Sequence, residues 1–143
     1  MLSEDDVVET VAAHLEGHGY RIETKATTRE RGYDIVAKRE SPLATIYVEA
    51  KGETSNRQGS ARYGQPFSSA QCRDHVANAF YAAAAVLSKS KEAMETRSSI
   101  ALAVTPGHRK CVERIQGALD ELKIGVFWVH ASRDVQLKGP WPL

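Results

Sequence analysis

Three charged residues in the first half of this chain have the types and spacing to do chemistry on a phosphate ester. Two lie in Thr45–Glu53, T-I-Y-V-E-A-K-G-E. Its alternation predicts a strand, with Ile46, Val48 and Ala50 on one face and Thr45, Tyr47, Glu49 and Lys51 on the other. A carboxylate and an ammonium thus end the strand on one face, just before Gly52. The third is Asp34. Hydrolysis of a phosphodiester needs a nucleophilic water at neutral pH and compensation for charge building at phosphorus, and a divalent cation supplies both. Magnesium takes one or two protein carboxylates and keeps waters and substrate oxygens for its other positions. Asp34 and Glu49 fit that demand for Mg²⁺ or Mn²⁺, with the Ala50 carbonyl as a third ligand. Lys51 is placed to orient water or to stabilise the charged phosphorus centre.

A hairpin must bring these groups together. Gly32–Arg39 reads as a strand with Tyr33, Ile35 and Ala37 on one face and Asp34, Val36 and Lys38 on the other. Glu40–Leu43, holding Ser41 and Pro42, is a turn. The strand Ala44–Lys51 follows. Pairing Arg39 with Ala44 puts Val36 opposite Tyr47 and Asp34 opposite Glu49, with Cβ atoms roughly 5 Å apart. A slip of one residue breaks the cluster.

The remaining elements are ordinary in pattern. Ser3 caps a first helix whose opening turn carries Glu4, Asp5 and Asp6, where the dipole favours them. Val8, Val11, Ala12 and Leu15 form its buried stripe, and Gly17 and Gly19 end it. His14 and His18 lie four apart, but no third ligand is evident, so they do not make a metal site. Tyr20–Thr24 is a short strand. Gly52–Phe67 is a long polar loop with Arg57 and Arg62. Its glycines at 59 and 64 have the spacing of a phosphate-binding loop, but Gln65 replaces the lysine. Ser68–Lys89 is a helix capped by Ser68 or Ser69, with a stripe of Cys72, Val76, Ala79, Phe80, Ala83, Ala84 and Leu87, and with Gln71, His75 and Asn78 on a polar face. Ile100–Val104 is a strand buried on both faces. His108–Lys123 is a second amphipathic helix, Ile124–Val129 the last strand, and residues 131–143 a tail.

The order α-β-β-β-α-β followed by α-β predicts one α/β domain over 1–143, with its core at about 3–130 and a mixed sheet flanked by helices. At 143 residues, 42% hydrophobic and 26% charged, the chain has ordinary globular composition. It has no apolar run of bilayer length and no signal-peptide pattern at its start, so a cytoplasmic protein without membrane partners is expected. A net charge of +1 confines any nucleic-acid surface to a local patch. Cys72 and Cys111 form no C-x-x-C and read as helix packing residues.

Gly32-Tyr33-Asp34, then Glu49-Ala50-Lys51 at the end of the next strand, then a helix, resembles the PD-(D/E)xK nucleases, the superfamily of restriction endonucleases, Holliday-junction resolvases and Mrr-type enzymes. The likeness covers about Val7–Val104, with Tyr33 where the motif name has proline. It implies a restriction-endonuclease-like core, Mg²⁺ on Asp34 and Glu49, and a catalytic Lys51. Relatives also use a polar residue from the helix after this strand, for which Gln71 is the best match. Some carry a glutamate in the first helix. Aligning on Leu15 and Gly19 places Val8 there, with Glu9 one position off, so Glu9 is the candidate catalytic carboxylate of this helix.

The expected activity is hydrolysis of DNA, with an endonuclease favoured over an exonuclease. An RNA target and a catalytically silent nucleic-acid-binding module of the same fold are the alternatives. Arg31, Arg57, Arg62 and Arg73 are the phosphate-contact candidates. Homodimer formation is left open.

Overall fold

A computed structural model describes residues 1–26, 33–54, 65–90 and 95–143. Among the described residues, three helices flank one six-stranded sheet. The elements are α1 (Glu4–Gly17), β1 (Arg21–Lys25), β2 (Ile35–Glu40), β3 (Leu43–Lys51), α2 (Ser69–Lys89), β4 (Thr96–Ala103), α3 (Pro106–Leu122), β5 (Gly125–Val129) and β6 (Val135–Lys138). Spatial order follows chain order. The pairs β1–β2, β2–β3 and β5–β6 are antiparallel, and β3–β4 and β4–β5 are parallel. This is the mixed α/β domain that the sequence predicts.

The alternation of the strands divides the core in two. Ile35, Ala37, Ile46, Val48, Ala50, Ala101, Ala103, Phe127 and Val129 pack with the α1 stripe of Val7, Val8, Val11, Ala12 and Leu15. On the opposite face, Ile100, Leu102, Val126 and Trp128 meet α2 and α3. Trp128 is therefore core. Ala79 and Ala83 are buried on α2; their small side chains let the helix lie close to the sheet. Phe80, Ala84 and Leu87, expected in the stripe, are half-buried at its flank, while Val86 is fully buried.

The hairpin has the register expected from the turn. Arg39 pairs with Ala44, Val36 with Tyr47 and Ile35 with Val48. Two boundaries differ. The strand expected from Gly32 begins at Ile35, and the chain bends at Asp34. Tyr33, expected on the Ile35 face, instead sets its ring edge-on to Tyr47, 5.0 Å between centroids. β4 also begins earlier than its apolar run. Buried Ser98 and Ser99 fit in the strand because their hydroxyls donate to the carbonyls of Ala83 and Tyr47, at 2.7 and 2.9 Å.

The expected tail is corrected. Val135–Lys138 adds an antiparallel strand to β5. Trp141 then packs on Gly125, where a Cβ would stand 2.7 Å from the indole ring. The Trp141 indole N–H donates to the Lys123 carbonyl at 3.0 Å. Among the described residues no helix is long and apolar enough to cross a membrane.

Candidate active site

The end of β3 is where the chemistry-bearing residues meet. Ala50 faces the α1 core, while Glu49 and Lys51 point to the α2 side and are half-buried. β2 reaches its last ladder partner at Ile35–Val48, so the next inward-facing N–H, that of Ala50, has no strand to pair with. Asp34 takes its place: Oδ2 accepts from the Ala50 N–H at 2.7 Å, and Asp34 is buried. The Asp34 carbonyl accepts from Ala26 N–H at 2.8 Å, which ties down the bend from the β1 side. In a strand the N–H and C=O of one residue leave on the same side. The Ala50 carbonyl therefore points toward Asp34 with no ladder partner from β2.

A third element reaches this point. Glu53 N–H donates to the Leu2 carbonyl at 2.8 Å, and Ser3 bridges to Thr54 as a parallel neighbour. Gly52 makes this approach possible, because any Cβ there would collide with the backbone of Ser3 and Glu4. Ser3 caps α1 in a reciprocal capping box with Asp6. The first turn of α1, with Glu4 and Asp5, is thereby fixed against the end of β3.

The electrostatics follow. Burial raises the Glu49 carboxyl from its ordinary value of 4.5 to about 7; the Asp34 and Glu4 charges add to the rise and Lys51 opposes it. Asp34 is raised by burial, against the Ala50 hydrogen bond and Lys51. Glu4 is raised by burial, with Lys51 opposing and Asp34 and Asp5 adding. Three carboxyls therefore share one partly desolvated neighbourhood around one ammonium. Asp5 adds a buried Oδ1 without a hydrogen-bond partner among the described residues.

This donor set suits a hard cation. Among the described residues no three His, Cys, Asp or Glu side chains are grouped so as to hold an ion by themselves. Two carboxylates and a free strand carbonyl are nevertheless enough for magnesium, which keeps most of its waters. An added cation would also offset the burial, and the smaller repulsion, that raise Glu49 and Asp34.

Other candidates sit elsewhere. Glu9 does not join the cluster: it is exposed and pairs with Lys25 at 3.0 Å. The α1 carboxylate at the site is Glu4. It extends the stripe of Val8, Val11, Ala12 and Leu15 by one turn toward the N-terminus, and that continuation was the available sequence signal. Gln71 is occupied by α2's own cap. Its Oε1 accepts from Ser68 N–H at 2.8 Å, and its N–H donates to Ser68 Oγ at 3.2 Å. The α2 side chain that senses Lys51 is His75, one turn on, held low first by burial and then by the Lys51 charge. Arg73 is exposed on α2 beside Asp74, 4.0 Å away. Arg31, Arg57, Arg62 and the glycine-spaced segment 59–64 lie outside the described residues. His14 and His18 set their rings at a tilt, 4.6 Å between centroids, and His18 Nδ1 lies 2.9 Å from the His14 carbonyl.

A mixed sheet with paired carboxylates and a lysine at the end of its third strand defines the nuclease class that the sequence resembles. The family model for Mrr-type catalytic domains, described as restriction endonuclease, matches residues 1–104. The chain belongs to this restriction endonuclease family. No curated protein matches. Among solved structures, SfsA of Pyrococcus furiosus in complex with Ca²⁺ is similar at 19% identity and a TM-score of 0.39, over 94% of this chain. The chain spans 59% of that protein's length.

Proposed function

We propose that this nuclease hydrolyses DNA phosphodiester bonds in a Mg²⁺-dependent reaction, as an endonuclease. Asp34, Glu49 and the Ala50 carbonyl would hold the ion. When bound, the ion supplies a lowered water pKa and charge compensation at phosphorus. The observation that carries this reading is the gathering of Glu4, Asp34 and Glu49 around Lys51 at a strand end, with Asp34 clamped to the Ala50 N–H. A fold does not need buried like charges; a cation site does.

Each residue has a separable task. The Ala50 N–H fixes one Asp34 oxygen and leaves the other free to ligate. Glu49 is poised to exchange its proton for a cation near neutral pH. Lys51, two residues on along the same strand face, orients the attacking water or meets the developing negative charge. Glu4 is the third carboxylate of the neighbourhood. It acts from the outer shell, where such groups orient ligands and their waters.

The test is cleavage of plasmid, linear and branched DNA, and of RNA, with Mg²⁺ or Mn²⁺. Wild type is compared with Asp34→Ala and Lys51→Ala. Equal cleavage by the variants would sink the assignment. Salt-sensitive binding without cleavage by any form would identify a silent binding module instead.

A further inference from the structure

Beside the carboxylates lies a cavity that hydrolysis does not use. It has a volume of about 350 Å³ and opens between the end of β3 and the first turns of α2 and α3. Pro66, Phe67, Cys72, Val104 and Pro106 wall it, and Glu53 supplies a carboxylate. The volume is at the low end for small-ligand sites, roughly 300–1,000 Å³. A single base fits such a space.

The cavity lies next to the candidate active site. Glu53 stands two residues past Lys51. Phe67 is locked edge-on against His75, 4.4 Å between centroids, and His75 is the imidazole that senses Lys51. A strand whose phosphate lies at Lys51 would carry its neighbouring base past Phe67.

The wall chemistry decides between a base and a phosphate. Two helix starts face the cavity, which by itself would favour an anion. Here each start is partly spent on its own cap. Thr105 Oγ accepts from His108 N–H at 3.0 Å, Ser68 Oγ is taken by Gln71, and Pro106 has no N–H to give. The Glu53 carboxylate would repel a phosphate. The same carboxylate accepts from the amino or imino N–H of a base, and apolar and aromatic walls take the base plane.

We propose that this cavity receives one unpaired base next to the phosphate being cut, so that unstacked or extruded nucleotides are preferred over fully paired duplex. The assignment rests on the nuclease reading of the adjacent strand end. Its test uses two readouts. The first is cleavage, with Mg²⁺, of a duplex carrying one bulged nucleotide against the matched duplex, for wild type, Phe67→Leu and Ser69→Leu. Ser69 lines the cavity from an exposed position and is not the α2 cap, so a leucine there narrows the cavity without entering the core. The bulge-to-duplex ratio is expected to fall about tenfold in both variants, within the range of one stacked base. Unchanged ratios overturn the proposal.

The second readout is fluorescence of a single strand carrying 2-aminopurine, titrated in Mg²⁺-free buffer. A fluorescence change with wild type that Ser69→Leu loses supports the cavity even if no substrate is cut, in which case only the nuclease reading fails. No change with wild type, or the same change with both proteins, overturns it.

Discussion

The backbone N–H of Ala50 donates to Asp34 Oδ2 across 2.7 Å, binding the bend before β2 to the end of β3. The bond completes a strand ladder with a side chain where β2 has run out. It also holds in place one of the two carboxylates of the site. Asp34→Asn keeps an acceptor for that N–H and should fold normally while losing cleavage by roughly 100-fold or more. Asp34→Ala should lose cleavage as well and be destabilised by about 1–3 kcal/mol, because a buried amide is left unpaired. Urea unfolding of the two variants beside wild type separates the effects.

Glu4, not Glu9, is the helix carboxylate near Asp34 and Glu49, the proposed metal ligands. Glu4→Gln is expected to lower cleavage roughly 10- to 100-fold, the usual range for groups that orient metal ligands. Glu9→Gln removes an exposed ion pair with Lys25 and should leave cleavage within about twofold. The two rates measured at one Mg²⁺ concentration decide the matter; the reverse ranking would place the site on the other flank of α1.

The raised Glu49 carboxyl gives the metal-free protein a pH dependence of definite sign. Its folded value, about 7, lies above its ordinary value of 4.5, so the folded state holds the proton more tightly than the unfolded chain. The stability from this group is intact below about pH 4.5. It is lost as pH rises toward 7, where folding must bury the charge or keep the proton. Screening at a half-exposed group limits the loss to the order of 1 kcal/mol. Glu49→Gln should flatten this part of the profile in urea titrations between pH 4.5 and 7.5. Mg²⁺ should raise the melting temperature of wild type near pH 7.5 and leave Glu49→Gln nearly unmoved.

Gly52 is required by packing. A methyl there meets the backbone of Ser3 and Glu4, which cannot swing aside as a side-chain end could. Gly52→Ala should cost about 1–3 kcal/mol and loosen the first turn of α1. Amide exchange should speed up at Val7, whose N–H bonds the Ser3 carbonyl at 3.1 Å. Unchanged exchange and melting would show that α1 docks independently of Gly52.

The sequence by itself determined what is local. The turn at Glu40–Leu43 and the alternation on either side set the hairpin register, so the partnership of the Asp34 and Glu49 segments was readable in advance. Ser3 as a helix cap, a serine cap at 68 or 69, the α1 stripe and the both-face burial of β4 follow from local pattern for the same reason. The tertiary structure decided everything that depends on approach between distant segments. Glu4 enters the site only because Gly52 lets the N-terminus close on β3; read from α1 alone, it is an ordinary acid in a first turn. Gln71 looked like a catalytic amide until its short reach to Ser68 closed a capping box. Trp141 looked like part of a tail because its seat is Gly125, whose missing side chain is visible only after β5 is in place. Spacing along a chain reports neighbours on one strand or helix, while the distance between two elements depends on the side chains they lack as much as on those they carry.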